Sequence, residues 1–390
     1  MPSIADIVSF AESLSTGAVE LVPSRCVAVR NRNATCRRCA EACLADAIAI
    51  GGNELAIDAA VCVNCGACIG ACPNSALVGT KPLSQDVGLK LARTTPACDG
   101  MAVIACARKA ARKVGDPERF AEVPCLGRLT EEALVSLAVG GATAVALVDG
   151  DCATCRYGEA EAAIDAAVEG AGALLAAWGL PAPFERRQGF PSCARAADER
   201  AVRAAERRGL FTRAGGYAKS VARTAAEQAI DDMLDQSKQR TMATLRDRML
   251  APGGAAAPIE AARNLEVLDA LCAHGEPDGR PVTTRLFGSV SIDAESCTGC
   301  DVCLMACPTG ALRRCEVERP EDPQRQYVEF QAADCTGCGL CADVCLRSSV
   351  TVSPTVSTAE LVDLEPRLIE IPRQLRGGSL FRKVYDAKRS

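Results

Sequence analysis

Histidine is nearly missing from this chain: His274 is the only one among 390 residues. Histidine-built zinc enzymes and Rieske centres each need two or more imidazoles, which argues against both. A basic excess is missing too, with 44 Lys and Arg against 49 Asp and Glu and a net charge of -5. That balance gives no support for nucleic-acid binding. No apolar run reaches the ~20 residues needed to span a bilayer. The start, Met1 to Phe10, has no basic region ahead of an apolar stretch, as a secretory signal would. No GxGxxG follows a strand and no GxxxxGKS or GxxxxGKT appears, so nothing announces a flavin, nicotinamide or ATP site.

Apolar residues make up 48% of the chain, enough for a real core. The length suggests two or three domains. The abundant residue is cysteine, with 24. Disulfides concentrate in small secreted domains, and this chain is neither short nor preceded by a signal. The expectation is a soluble cytoplasmic protein whose thiols hold metal.

The cysteines fall into three groups, of which the outer two repeat one motif. Near the C-terminus, Cys297-x2-Cys300-x2-Cys303-x3-Cys307-Pro308 is followed by Cys335-x2-Cys338-x2-Cys341-x3-Cys345. Three closely spaced thiolates can wrap three irons of one cube, with backbone amides left to bond the sulfurs. Near the N-terminus, Cys62-x2-Cys65-x2-Cys68-x3-Cys72-Pro73 is complete. The half before it has Cys36, Cys39 and Cys43 in register but Asn33 where the first cysteine belongs. Cys26, ten residues before Cys36, is the substitute that a loop could bring in. A [3Fe-4S] cluster, or a labile [4Fe-4S] with an outside ligand, is the competing outcome there. Each fourth cysteine leads into a short segment ending in a small and then an aliphatic residue: Ala47-Ile48, Ala76-Leu77, Ala311-Leu312 and Ser349-Val350. Four zinc sites are the alternative, but zinc motifs are usually two CxxC pairs.

Over about 70 residues the C-terminal motif pair resembles the bacterial two-cluster ferredoxin. The resemblance implies one [4Fe-4S] cluster on Cys297, Cys300, Cys303 and Cys345, and a second on Cys335, Cys338, Cys341 and Cys307. Carried to the N-terminal pair, it implies one cluster on Cys62, Cys65, Cys68 and Cys43 and another on Cys26, Cys36, Cys39 and Cys72. Four [4Fe-4S] clusters with iron bound through these cysteines would make the chain a polyferredoxin.

Between the two ends the pattern alternates strand and helix. Strands are expected at Met101 to Ala105, Phe120 to Val123 and Ala142 to Val148, and helices at Ala107 to Val114, Glu131 to Val139 and Glu159 to Trp178. Such alternation implies a parallel α/β sheet. Cys106, Cys125 and the pair Cys152 and Cys155 follow three of these strands. The carboxyl ends of parallel strands are the usual binding edge, so four thiolates could converge there. A cluster-free domain with buried cysteines, and a redox disulfide at Cys152 and Cys155, remain open.

Residues 95 to 175 resemble the delta, iron–sulfur subunit of methyl-viologen-reducing hydrogenases, on Cys106, Val123-Pro124-Cys125-Leu126-Gly127-Arg128 and Gly150-Asp151-Cys152-Ala153-Thr154-Cys155. That family partners heterodisulfide reductase and carries a [2Fe-2S] cluster. The resemblance implies an additional [2Fe-2S] or [4Fe-4S] centre on Cys106, Cys125, Cys152 and Cys155. The tight CxxC departs from the family spacing, and Cys98 competes with Cys106 as a ligand.

Cys193, Cys272 and Cys315 are expected to serve packing. From about Pro181 to Leu271 the chain reads as helical and rich in Arg, including Arg186, Arg187, Arg195, Arg200, Arg203, Arg207, Arg208 and Arg213. Solvated helix faces are the favoured reading, and a docking face for an acidic partner the other. Ala251 to Pro258 is a flexible break, and Arg373 to Ser390 a tail with six basic residues and one acid.

The expected fold is therefore α+β ferredoxin-like dicluster modules at both ends, with a central α/β parallel-sheet domain and a helical segment. The boundaries are 1–85, 86–180, 181–280, 281–353 and a basic tail over 354–390. The expected function is a multi-cluster electron-transfer subunit of a larger anaerobic oxidoreductase, with no catalytic residues of its own. Its partners would be other subunits: a flavoprotein, a hydrogenase, a heterodisulfide-reductase-like protein or a molybdopterin enzyme. No nucleic acid and no membrane span are expected. The rival is a catalytic iron–sulfur or thiol reductase using the central cysteines.

Overall fold

The computed structural model describes residues 19–79, 84–150, 152–155, 158–196, 259, 262–315 and 325–372. The Met1–Phe10 start, Asp151, Arg200 to Arg213, the Ala251–Pro258 break and the Arg373–Ser390 tail lie outside the described residues.

The N-terminal module runs β1 (Val19–Leu21), α1 (Val27–Arg30), α2 (Arg38–Glu41), β2 (Ile48–Gly51), β3 (Glu54–Ile57), α3 (Ala67–Ala71) and β4 (Leu77–Gly79). β1 pairs antiparallel with β4, and β2 with β3. Gly52 and Asn53 take φ of 62° and 65° in the tight turn between β2 and β3. Two left-handed residues in a two-residue hairpin match the twist of the strands they join, and Gly and Asn tolerate that conformation. Very short helices alternate with two-stranded ribbons, so little of this module is stabilised by secondary structure alone.

The central domain follows as α4 (Ser84–Ala97), β5 (Met101–Cys106), α5 (Ala107–Ala110), β6 (Ala121–Val123), α6 (Glu131–Val139), β7 (Ala144–Val148), α7 (Ala160–Ala177) and β8 (Phe184–Arg187). Its four strands are all parallel, in the order β6-β5-β7-β8. Both faces are buried. Ala102, Ile104, Val145 and Leu147 join the main core, and Val103, Ala105, Ala146 and Val148 a second one with Phe120 and Phe190. Unbroken apolar runs are what a doubly covered parallel sheet requires. Two expectations need correction. The boundary expected between residues 85 and 86 falls inside α4 instead. The helical connector expected from residue 181 instead opens with β8, which completes the sheet. Phe184-Glu-Arg-Arg carries too much charge to read as a strand, but it is an edge strand, where charge is tolerated.

The C-terminal module comprises α8 (Ala262–Cys272), β9 (Pro281–Thr283), β10 (Ser289–Ile292), α9 (Val302–Ala306), β11 (Leu312–Arg314), β12 (Arg325–Phe330), α10 (Leu340–Asp343), β13 (Val350–Ser353), β14 (Thr355–Ser357), α11 (Thr358–Val362) and β15 (Arg367–Pro372). β12 pairs antiparallel with both β11 and β15, β10 with β13, and β9 with β14. The tail expected from residue 354 is therefore structured as far as Pro372. Ile369 and Ile371 are buried on alternate positions of β15, a period-two signal too short to stand out in sequence.

The C-terminal module and the α/β sheet share one apolar core, joined where α8 packs on α6. A buried carboxylate fastens this joint. Glu131, at the start of α6, is 2% exposed. It accepts hydrogen bonds from the Arg285 backbone N–H at 3.0 Å, from Arg285 Nε at 3.3 Å and from the Thr284 hydroxyl. A Cβ on Gly170 would lie 2.4 Å from Glu131 Oε1, so α7 leaves room for the carboxylate there. Arg263 on α8 adds a second tie, donating to the Cys72 carbonyl at 3.1 Å and to Glu132 Oε2 at 2.7 Å. Among the described residues no helix is long and apolar enough to cross a membrane. Removing one partner of a buried pair strands the other, so Glu131→Ala is expected to lower the unfolding free energy by about 3–5 kcal/mol. A denaturation midpoint unchanged from the parent chain would contradict this.

Candidate metal centres

Twenty cysteines gather into five sets of four. Cys26, Cys36, Cys39 and Cys72 line one cavity of about 370 Å³. Cys307, Cys335, Cys338 and Cys341 line another of about 310 Å³. Cys43, Cys62, Cys65 and Cys68 are mutual neighbours, as are Cys297, Cys300, Cys303 and Cys345. In each set the fourth thiol comes from the partner motif, the crossed arrangement expected from spacing and resemblance. Burial, followed by neighbouring thiols, pushes Cys39 and Cys68 up to about 12 and Cys303 up to about 11. Burial thus disfavours the charged form of these three thiols, and a bound cation is what would favour it.

The backbone repeats with the motif. The third residue after each fourth cysteine has positive φ: Asp46, Ser75, Gly310 and Ser348. That turn swings a following N–H back onto sulfur. Ala47, Ala76 and Ser349 each donate to the sulfur four residues earlier at 3.2 Å, and Leu312 donates to Cys307 Sγ at 3.4 Å. Such donors favour the charged sulfur and tune a bound centre. For Cys345, burial raises the pKa, but backbone bonds from Ser349, Arg347 and Val350 bring it below the ordinary value.

The incomplete motif departs from this pattern only at its start. In the three complete runs, left-handed residues flank the second cysteine: Asn64 and Gly66, Gly299 and Asp301, Gly337 and Gly339. Arg37, the counterpart of Gly66, has φ of -128°. Asn33 is exposed, and its N–H is tied to Asn31 Oδ1. Cys26 takes the first cysteine's place. It follows a single 3-10 turn with φ -84° and ψ 115°, while Cys335 follows one with φ -82° and ψ 111°. The helix α1 is therefore an insertion between a normally placed first thiol and the rest of its motif.

The fifth set lies at the carboxyl edge of the sheet. Cys106 ends β5, Cys125 follows β6, and Cys152 and Cys155 lie in the loop after β7. All four line one open cleft of about 1110 Å³. The strand order places β5 between β6 and β7, so the cleft sits where the chain crosses from one side of β5 to the other, the usual binding crevice of such sheets. Burial, then the Cys65, Cys106 and Cys152 thiols, push Cys125 up to about 11, against an opposing N–H from Gly127. Cys98 does not join them. It is 1% exposed in the core on the opposite face of the sheet, beside Cys193. Of the two competing residues it is Cys106 that faces the cleft. Cys272 is exposed on α8, and Cys315 follows β11.

Sequence reading missed the role of Arg186. It sits on β8, not on a solvated helix, and binds Asp149 at 2.8 Å, Glu161 at 3.1 Å and Asp165. Burial lowers its pKa, but these carboxylates outweigh that and raise it. The network clamps the β7 end and the start of α7 on either side of the Cys152 loop.

Each set fits an iron–sulfur centre by its donors: four thiols around a space, with amide N–H groups aimed at sulfur. Among the described residues, no three or more His, Cys, Asp or Glu side chains are arranged to hold a single ion. Thiolates on one zinc, at ~2.3 Å each, crowd far closer than those around a multi-iron cluster.

Residues 296–348 match the family model of the 4Fe-4S dicluster domain, and residues 55–78 that of the 4Fe-4S binding domain. The chain thus carries ferredoxin-type 4Fe-4S domains in its N-terminal and C-terminal parts, which supports iron–sulfur electron transfer. No curated protein and no solved structure matches it.

Two substitutions test the sets separately. Cys26→Ser is expected to damage one cluster and spare the other three four-iron centres; unchanged iron content and spectra would refute Cys26 as a ligand. Cys152→Ser is expected to remove only the α/β domain's signal, and full retention of every signal would show that domain to be free of a cluster.

Proposed function

We propose that the chain is a relay subunit that carries one-electron equivalents inside a larger anaerobic oxidoreductase. Four [4Fe-4S] clusters would occupy the ferredoxin modules, on the four crossed thiol sets. A fifth centre, [2Fe-2S] or [4Fe-4S], would be held by Cys106, Cys125, Cys152 and Cys155. The observation that carries this reading is the gathering of twenty cysteines into five sets of four. Bound clusters supply one-electron steps; the chain's own part is to bury the sulfurs and to tune them with backbone N–H donors. A diffusing carrier needs fewer centres than five, which favours a fixed place between other subunits. The resemblance of residues 95 to 175 to the hydrogenase delta subunit supports a hydrogenase or a heterodisulfide-reductase-like flavoprotein as neighbour. A molybdopterin enzyme fits the same chemistry.

The open cleft beside the fifth set supports a second reading, in which that centre reduces a small substrate directly. Turnover by the purified chain with an artificial reductant would favour it, whereas a stable complex with another enzyme and no turnover would favour the relay. Iron and sulfide analysis of anaerobically purified chain tests the main reading. The ferredoxin modules alone predict about 16 irons, a central [2Fe-2S] about 18 and a central [4Fe-4S] about 20. A value of about 18 or more, with an additional EPR signal on reduction, is expected. A value near 16 would reduce the α/β domain to a structural or thiol-redox role.

A further inference from the structure

We infer that the five thiol sets stand in single file, with the α/β-domain set at one end and Cys297, Cys300, Cys303 and Cys345 at the other. The inference rests on the electron-transfer reading and adds to it an order and two ends. Four junctions define the file, and each is a packing contact between named elements.

The first junction joins Cys125 to Cys65. Helix α3, which follows Cys65, packs directly on the turn that follows Cys125. The approach is close: a Cβ on Gly66 would lie 2.7 Å from Arg128 Cγ, which would have to shift, and one on Gly70 would lie a tight 3.3 Å from the Leu129 carbonyl oxygen. The Cys65 thiol is among the electrostatic neighbours of the Cys125 thiol. The second junction, inside the N-terminal module, joins Cys68 to Cys39, which share one buried apolar cluster between α2 and α3.

The third junction crosses between the two ferredoxin modules. Cys36 and Cys338 pack against the same cluster of Val27, Leu340 and Val344. Polar bonds from residues next to these thiols hold the seam. The Thr35 N–H donates to Asp343 Oδ2 at 2.9 Å, its hydroxyl donates to Oδ1 at 2.7 Å, and Arg38 donates to the Gly337 carbonyl at 2.7 Å. Thr336 donates to Asn74 Oδ1 at 2.6 Å, tying the loop after Cys72 to the same seam. The fourth junction, within the C-terminal module, joins Cys341 to Cys303 where α9 packs on α10.

The ends differ in character. The α/β set opens into its cleft, whereas Cys300 is exposed at the far end, and Met305 and Leu346, near the Cys303 and Cys345 ligands in sequence, are 71% and 88% exposed. One-electron exchange between a donor at one end and an acceptor at the other must therefore cross both inter-module junctions. The inserted helix α1 lies at the second of these, since Val27 is part of the seam.

The order is tested by EPR of the reconstituted, fully reduced full-length chain, because neighbouring paramagnetic centres broaden one another's signals. Cys152→Ser is expected to narrow only the signal assigned to the Cys62, Cys65, Cys68 and Cys43 set. Cys300→Ser, at an exposed position that leaves the core intact, is expected to narrow only the signal of the Cys335, Cys338, Cys341 and Cys307 set. Cys26→Ser is expected to narrow both signals that flank its own. Any other pattern of neighbours, with only the targeted centre lost and the remaining centres' iron retained, overturns the order while leaving the electron-transfer reading standing. A wild-type chain that takes up no iron overturns that reading itself, and one with about 16 irons and no central signal removes the α/β end from the file.

Discussion

Everything in this molecule turns on bringing four thiols from two separate runs of sequence to face one space. The short helices and two-stranded ribbons of the ferredoxin modules are too small to be stable alone. What ties each half to the other is the exchange of the fourth cysteine. Cys39, Cys68 and Cys303 are desolvated and lie beside other thiols, which disfavours their charged form until a cation is bound. Loading the site must release protons and contribute to folding at the same time. The N–H donors that reach Cys43, Cys72, Cys307 and Cys345 are the protein's preparation for that charge.

The α/β domain solves the same problem with a different scaffold. Its sheet is buried on both faces and stays rigid, and its thiols are offered by the loops at the strand ends. The Arg186 network holds the Cys152 loop from both sides, combining a partly buried cation with three acids. A buried sheet that carries its chemistry on the loops at its edge is the usual division of labour in such folds.

The modules are not beads on a string. Glu131 and Arg285 fasten the sheet to the C-terminal module, and Arg263 reaches the Cys72 loop. Around Gly66 the approach leaves no room for a Cβ unless Arg128 shifts, and around Gly70 it is tight. These contacts place thiols of different sets near one another, which a flexible linker could not do.

The four cysteine motifs were legible in the sequence because each keeps a fixed local spacing, whereas the crossed sets, with Cys26 in place of Asn33, were expected from resemblance to the two-cluster ferredoxin. The parallel sheet was legible because both faces are buried and its strands are continuous apolar runs. β8 and β15 were not, since one is a charged edge strand and the other too short to show a period. Helix α4 was hidden by the Gly and Pro that precede it. The choice between Cys98 and Cys106 could be made only in three dimensions, because one residue ends strand β5 and the other lies across the sheet from its cleft. The meeting of Cys36 with Cys338 and of Cys65 with Cys125 likewise depends on tertiary packing. Spacing along the chain determines which thiols can surround one space; which of those spaces adjoin depends on side-chain complementarity between elements hundreds of residues apart, which no local pattern records.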